Sequence, residues 1–130
     1  MVAFDTNVIV RVLVGDDPAQ TRKAERAFVT HANGEGVFLS LVVLAELGWV
    51  LSAAYAWDRA TICARLTRLV RTRGVAIEEL ELVEHALAEY AAGKADLADY
   101  LVLGKARVVA RGGLLTFDKK LSREQDVTLL

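Results

Sequence analysis

The chain has little cysteine and histidine, and each scarcity argues against a class of protein. Its 130 residues include one cysteine, Cys63, so an internal disulfide is impossible. We therefore expect Cys63 to be a small buried core residue of a protein in a reducing compartment, the cytoplasm. The two histidines and the cysteine do not form a pair with zinc-ligand spacing, which argues against a zinc site.

The chain also lacks an excess of charge and a long apolar run. Its formal net charge is −1, so binding to RNA would depend on a local basic patch, for which the candidates are Lys94, Lys105, Lys119 and Lys120. The apolar stretch Val8–Val14 is interrupted by Arg11 and is too short to span a bilayer. No linker or repeat divides the sequence. We expect a single domain over residues 1–130 that does not enter a membrane.

Short apolar runs alternate with longer segments of helical periodicity. The runs predict five strands: Val2–Phe4, Gly36–Leu39, Val75–Ile77, Leu114–Phe117 and Val127–Leu130. Helices between them are predicted to begin at capping residues, with Thr6 and Asn7 before the helix Val8–Val14, and Ser40 before the next apolar helix. Strands that alternate with helices predict an α/β sandwich around a parallel sheet.

Two aspartates directly follow predicted strands, and two more lie at a predicted helix start. Asp5 comes after Val2–Phe4 and Asp118 after Leu114–Phe117. Ligand sites of parallel sheets gather beyond the carboxyl ends of the strands, so these acids are candidates for a site. Asp96 and Asp99 are three residues apart and therefore point from one face of a first helical turn.

A fifth acid, Glu46, interrupts an otherwise apolar helix. A carboxylate buried there without a partner would cost several kcal/mol, so Glu46 needs a partner or a cavity. Each aspartate alone also has a structural explanation as a helix cap, a dipole partner or a turn residue. Together, however, convergent acids would repel one another unless a cation neutralised them, and carboxylate oxygens suit Mg²⁺ or Mn²⁺. Such a metal activates water for phosphodiester hydrolysis.

Four segments resemble the motifs of the PIN-domain family, in the order and spacing of VapC-type toxins from toxin–antitoxin pairs. The segments are Ala3–Val8, Leu44–Leu47, Asp96–Val102 and Leu115–Asp118. The resemblance implies a three-layer α/β/α sandwich with a mostly parallel central sheet. It also implies an Mg²⁺- or Mn²⁺-dependent endoribonuclease that cleaves RNA as a toxin, is inhibited by a cognate antitoxin protein and forms a homodimer.

The same resemblance assigns roles to particular residues. The implied catalytic acids are Asp5, Glu46, Asp99 and Asp118, and the implied metal ligands are Asp5, Asp96, Asp99 and Asp118. Polar positions expected to orient acids or water are Thr6, Asn7, Ser40 and Thr116.

Two other functions stay open at this stage. An acid after the first strand also serves phosphoaspartate-type phosphohydrolases and receiver-like domains, with Asp5 as the nucleophile. That chemistry favours a lysine at the later strand end, where this chain has Asp118. A non-catalytic PIN-like binding module is the second alternative. The tryptophans Trp49 and Trp57 could stack bases, but their apolar neighbours favour core or interface packing.

Overall fold

Six α-helices and five short strands alternate along residues 1–130, all of which are described by the structure, a computed structural model. In chain order they are β1 Val2–Ala3, α1 Thr6–Val14, α2 Pro18–Ala32, β2 Val37–Leu39, α3 Leu41–Ala53, α4 Arg59–Val70, β3 Val75–Ile77, α5 Leu80–Ala92, α6 Leu97–Val109, β4 Leu114–Thr116 and β5 Val127–Leu129. A 3₁₀ turn, Leu121–Arg123, lies between β4 and β5. None of the six α-helices combines the length and apolar composition needed to cross a bilayer.

All strand pairs are parallel, which confirms the predicted α/β class. β1, β2 and β3 form a three-stranded sheet in that order, flanked by helices. β4 and β5 pair only with each other, so the strands form two sheets rather than the one expected from the sequence. Each strand has at most three residues in its ladder. Because β1 and β4 belong to different sheets, Asp5 lies after a strand of the first sheet and Asp118 after a strand of the second.

The helix starts follow from capping side chains in three cases. Asp17 accepts the Gln20 N–H at 3.1 Å, Ser40 accepts the Val43 N–H at 3.2 Å, and Asp58 accepts the Thr61 N–H at 2.7 Å. Each bond satisfies one of the free amides in a first helical turn. The predicted role of Ser40 as a cap is confirmed.

The start of α1 differs from the prediction. The helix begins at Thr6, not at Val8, so Thr6 and Asn7 lie inside its first turn and cap nothing. The cap position belongs to Asp5, whose side chain makes no capping hydrogen bond. The prediction failed because Thr and Asn are good caps in general, whereas here the Asp5 carbonyl already accepts the Val8 N–H at 3.1 Å.

One cluster of 23 buried apolar residues holds the helices and strands together. Cys63 is half-buried against this cluster, and its thiol donates to the Leu87 carbonyl at 3.5 Å. The helix α3 is apolar around most of its circumference, and part of that surface stays outside: Val42 is 67% exposed and Trp49 64%. Trp49 therefore does not belong to the core, and its expected alternative, packing at an interface, stays a prediction.

Candidate active site

The carboxylate of Glu46 is held by a threonine from another helix. Thr6 of α1 is buried, 5% exposed, and its hydroxyl donates to Glu46 Oε1 at 2.7 Å. Glu46 itself is exposed, which corrects the concern that this acid would be buried in the apolar helix. It lies on the outer face of α3, where water solvates the charge. The structure thus supplies the partner that the sequence analysis required.

Asp5 stands free at the end of β1. Its residue is exposed, and its side chain makes no hydrogen bond to the first turn of α1. An aspartate kept only as a helix cap would accept such a bond, as Asp17 and Asp58 do at α2 and α4. The carboxylate of Asp5 is therefore available for a ligand.

Asp96 and Asp99 meet at the start of α6. The Asp96 N–H donates to Asp99 Oδ2 at 3.1 Å, which is one half of a capping box. Burial raises the pKa of the half-buried Asp99 carboxyl, and the negative charges of Asp96 and Asp118 raise it further, against the lowering effect of the Asp96 hydrogen bond. The charge on Asp99 is therefore crowded by two other acids of the predicted set.

Asp118 is placed by its own backbone neighbours. Its Oδ1 accepts the Lys120 N–H at 2.8 Å and the Leu121 N–H at 3.3 Å. Its own N–H donates to Thr116 Oγ1 at 3.0 Å. These bonds make Asp118 a turn residue and at the same time fix it close enough to Asp99 for their charges to interact. Its second oxygen, Oδ2, has no hydrogen-bond partner in the chain.

The predicted polar positions do not all lie against the acids. Thr6 contacts Glu46, and Thr116 contacts the backbone of Asp118. Ser40 is occupied as the cap of α3. Asn7 is exposed and lines a shallow groove between α1 and α2 instead of bonding to an acid.

The donor chemistry of this region fits a hard divalent cation, but the ligands are not gathered into a cage. Asp96, Asp99 and Asp118 provide carboxylate oxygens whose mutual repulsion a cation would relieve. Nevertheless, no group of three or more His, Cys, Asp or Glu side chains lies close enough together to hold a metal ion. Asp96 and Asp118 lie close enough to Asp99 for their charges to interact, whereas Asp5 and Glu46 show no such interaction with it. The predicted metal-ligand set thus stays a prediction.

An arginine that the sequence analysis missed anchors the turn before α6. The Arg59 guanidinium donates to the carbonyls of Tyr90, Ala95 and Lys94 at 2.9, 2.7 and 3.0 Å. It also lies over the Tyr90 ring, 4.3 Å from the centroid. Arg59 therefore fixes the chain just before the acid pair. A cation in the first turn of a helix opposes the helix dipole, and this was the signal available in the sequence.

A buried tyrosine fixes the same turn from inside. Tyr100 is fully buried, and its hydroxyl accepts the Ala95 N–H at 3.4 Å while donating to Glu124 Oε1 at 2.9 Å. A Cβ on Gly93 would collide with the Tyr100 hydroxyl, so only glycine fits there. These contacts join the start of α6 to the segment between β4 and β5.

The comparison with known families assigns the fold. The family model described as "PIN domain" matches residues 2–125, nearly the whole chain. Among curated proteins, none matches the sequence.

Proposed function

Because the chain belongs to the PIN domain family, we propose that it is a metal-dependent endoribonuclease that acts as the toxin of a toxin–antitoxin pair. PIN domains are generally metal-dependent nucleases, and their substrates are nucleic acids. The finer proposal names RNA as the substrate, Mg²⁺ or Mn²⁺ as the metal and a cognate antitoxin as the inhibitor. It rests on the four motifs that resemble VapC-type toxins.

The observation that carries the proposal is the crowding of charge around Asp99. A purely structural aspartate at a helix start gains from its position, whereas burial and two neighbouring acids make ionisation of Asp99 less favourable. The hydrogen bond from the Asp96 N–H offsets part of this cost, but the chain gains no stability from the repulsion that remains. It gains a site that attracts a divalent cation, which is the usual reason for grouping carboxylates.

In this proposal the acids divide into metal ligands and one hydrogen-bond acceptor. Asp5, Asp99 and Asp118, with Asp96 beside them, would hold the metal. When bound, the metal supplies activation of water and charge stabilisation for an in-line phosphodiester displacement. Glu46 offers a hydrogen-bond acceptor outside that group, and the Thr6 hydroxyl fixes its orientation. No side chain is required to form a covalent bond to phosphorus.

The test is cleavage of single-stranded RNA by the purified chain with Mg²⁺, with Mn²⁺ and with EDTA. We expect cleavage only with metal, and loss of cleavage in Asp5→Asn, Asp99→Asn and Glu46→Gln. Asp17→Asn is the matched control: it makes the same change at a cap of α2, and asparagine caps as well as aspartate.

Three outcomes would contradict the proposal. Undiminished cleavage in excess EDTA would remove the metal from the mechanism. A phosphoryl group trapped on Asp5 would favour the phosphoaspartate alternative. A chain that binds Mg²⁺ but cuts no RNA under any condition would be a binding module.

We also propose that a second copy packs against α5 and α6. These helices border a groove of about 810 Å³ with Ala86 and Gly104 among its lining residues. Val108 at its edge is 74% exposed and the adjacent Val109 70%. Small residues let another helix approach closely, and exposed valines lose unfavourable contact with water when covered.

A further inference from the structure

Only two of the aromatic side chains are exposed, and each stands beside a different acid of the predicted set. Trp49 is 64% exposed and Phe117 80%. The chain has four Phe, three Tyr and two Trp, and all the others are buried or half-buried. Trp49 comes one helical turn after Glu46, and Phe117 directly precedes Asp118.

Trp49 shares one outer stripe of α3 with Glu46. Residues three and four apart lie on the same helix face, with Cβ atoms about 5–6 Å apart, so Val42, Glu46 and Trp49 are neighbours. Glu46 is the only charged residue of this helix. The indole therefore lies beside the carboxylate that Thr6 holds. The other tryptophan, Trp57, is half-buried and covered by Arg65, 5.2 Å from its ring centroid.

Phe117 lies beyond the last ladder residue of β4. The chain bends at Phe117, directly before Asp118, and leaves the ring 80% exposed. The next exposed residues after Asp118 are Lys119 and Lys120, and neither forms an ion pair within the chain. The ring is thus followed by two free cations.

We propose that Trp49, next to Glu46 on α3, and Phe117, next to Asp118 in sequence, are stacking surfaces for the bases of single-stranded RNA, with Lys119 and Lys120 contacting phosphates. This inference rests on the proposed nuclease function and adds the residues that would hold the RNA strand. Aromatic rings stack on unpaired bases of any sequence. Bases of a duplex are already stacked and paired, so these rings would not reach them.

Charge favours RNA over an apolar protein as the occupant of these rings. A protein partner that covered Trp49 and Phe117 would also cover Glu46, Asp118 and the two lysines, and burial of unpaired charges is costly. A nucleic-acid strand would instead cover only the ring faces and pair its phosphates with the lysines. The carboxylates beside the rings would stay in contact with water.

The first experiment measures binding without cleavage. In a Trp57→Phe variant only Trp49 fluoresces, and we titrate it with a single-stranded RNA decamer in EDTA at low salt. We expect saturable quenching by the single strand and little quenching by a duplex of equal length. Trp49→Phe, in which only Trp57 fluoresces, is the matched control and should show little response.

The second experiment separates stacking from apolar contact. Trp49→Leu and Phe117→Leu keep an apolar side chain and remove the ring, so we expect roughly tenfold weaker RNA binding for each and a raised KM with kcat nearly unchanged. Trp49→Phe and Phe117→Tyr should largely restore binding. Val29→Ala, at an exposed apolar position of α2, should leave binding unchanged.

The outcomes distinguish this inference from the nuclease proposal. RNA-dependent quenching without cleavage in Mg²⁺ would overturn the nuclease proposal and support the stacking surfaces. If both leucine variants cleave RNA with the same KM as the wild type, the stacking role of the two rings would be overturned. Conversion of a dimer into a monomer by Trp49→Leu would also overturn them, because the ring would then belong to a protein interface.

Discussion

At the scale of single residues, the bond between Thr6 and Glu46 joins two helices through one buried hydroxyl. A threonine that is 5% exposed has little freedom to rotate, so it holds Glu46 Oε1 in one direction. Sequence analysis identified Glu46 from its position in an apolar helix, and the family resemblance added Thr6. It could not give their contact, because 40 positions separate them along the chain.

Thr6→Val should leave the fold intact and weaken catalysis. Valine has nearly the same shape but lacks the hydroxyl, so Glu46 would lose its fixed orientation. Loss of such a supporting bond reduces activity roughly ten- to a hundredfold. Steady-state cleavage assays, with circular dichroism as the folding control, provide the measurement. Thr6→Ser restores the hydroxyl and should restore most of the activity; a serine variant as poor as the valine variant would contradict this role.

Asp99→Asn should stabilise the metal-free protein and reduce its response to Mg²⁺. Burial, Asp96 and Asp118 raise the folded-state pKa of Asp99, so the folded form binds its proton more tightly than the unfolded form. The free energy of unfolding then falls as pH rises from the ordinary aspartate pKa through the raised one, and the loss is complete above the raised pKa. Asparagine keeps a hydrogen-bond acceptor for the Asp96 N–H and carries no charge.

Melting curves with EDTA and with Mg²⁺ test this prediction on wild type and variant. The wild type should gain about 2.7 kcal/mol at a hundredfold excess of metal over its Kd. The wild type in EDTA should also lose stability between acidic and neutral pH more steeply than the variant. A variant that melts lower in EDTA and gains as much from Mg²⁺ would make Asp99 a helix-start residue only.

At the scale of elements, the turn between α5 and α6 determines where the acid pair lies. Arg59 donates three hydrogen bonds to its carbonyls, and Tyr100 accepts the N–H of Ala95 from inside. Most helix starts can be predicted from the sequence, because capping side chains such as Asp17, Ser40 and Asp58 accept a backbone N–H only three residues later. The Arg59 contacts join residues more than 30 positions apart, and no local pattern encodes them.

Arg59→Lys should destabilise the protein even though the charge is conserved. A lysine ammonium cannot reproduce the planar fork of donors, so at least one carbonyl would lose its partner. We expect a loss of roughly 1.5–3 kcal/mol in the free energy of unfolding, measured by urea denaturation. Arg68→Lys, at an exposed position of the same helix, should change it by less than about 0.5 kcal/mol. Equal effects of the two variants would contradict the role given to Arg59.

At the scale of the whole molecule, apolar composition was a reliable guide to the class of fold and a weaker guide to what stays exposed. The strand runs and helix periods predicted the α/β class correctly. They did not predict that β4 and β5 pair apart from β1, β2 and β3, because register depends on which strands meet in space. Nor could they tell which apolar face of α3 would be covered.

The α5–α6 groove predicts a homodimer at micromolar concentration. Val108→Lys places a charge at its edge, on a side chain that is 74% exposed and so is not needed by the core. We expect light scattering to give a dimer mass for the wild type and a monomer mass for this variant. Val29→Lys, on α2, should remain dimeric. A monomer mass for the wild type would contradict the proposed homodimer and would not bear on the nuclease proposal.

Because the strands form two sheets, a cation held by both Asp5 and Asp118 would link strands that share no backbone hydrogen bonds. Asp5 ends a strand of one sheet and Asp118 follows a strand of the other, with no ladder between them. Units without shared backbone hydrogen bonds open with their own free energies. A cation shared by both acids would couple these openings. Amide protons of β4 and β5 should then exchange with deuterium more slowly once metal is added.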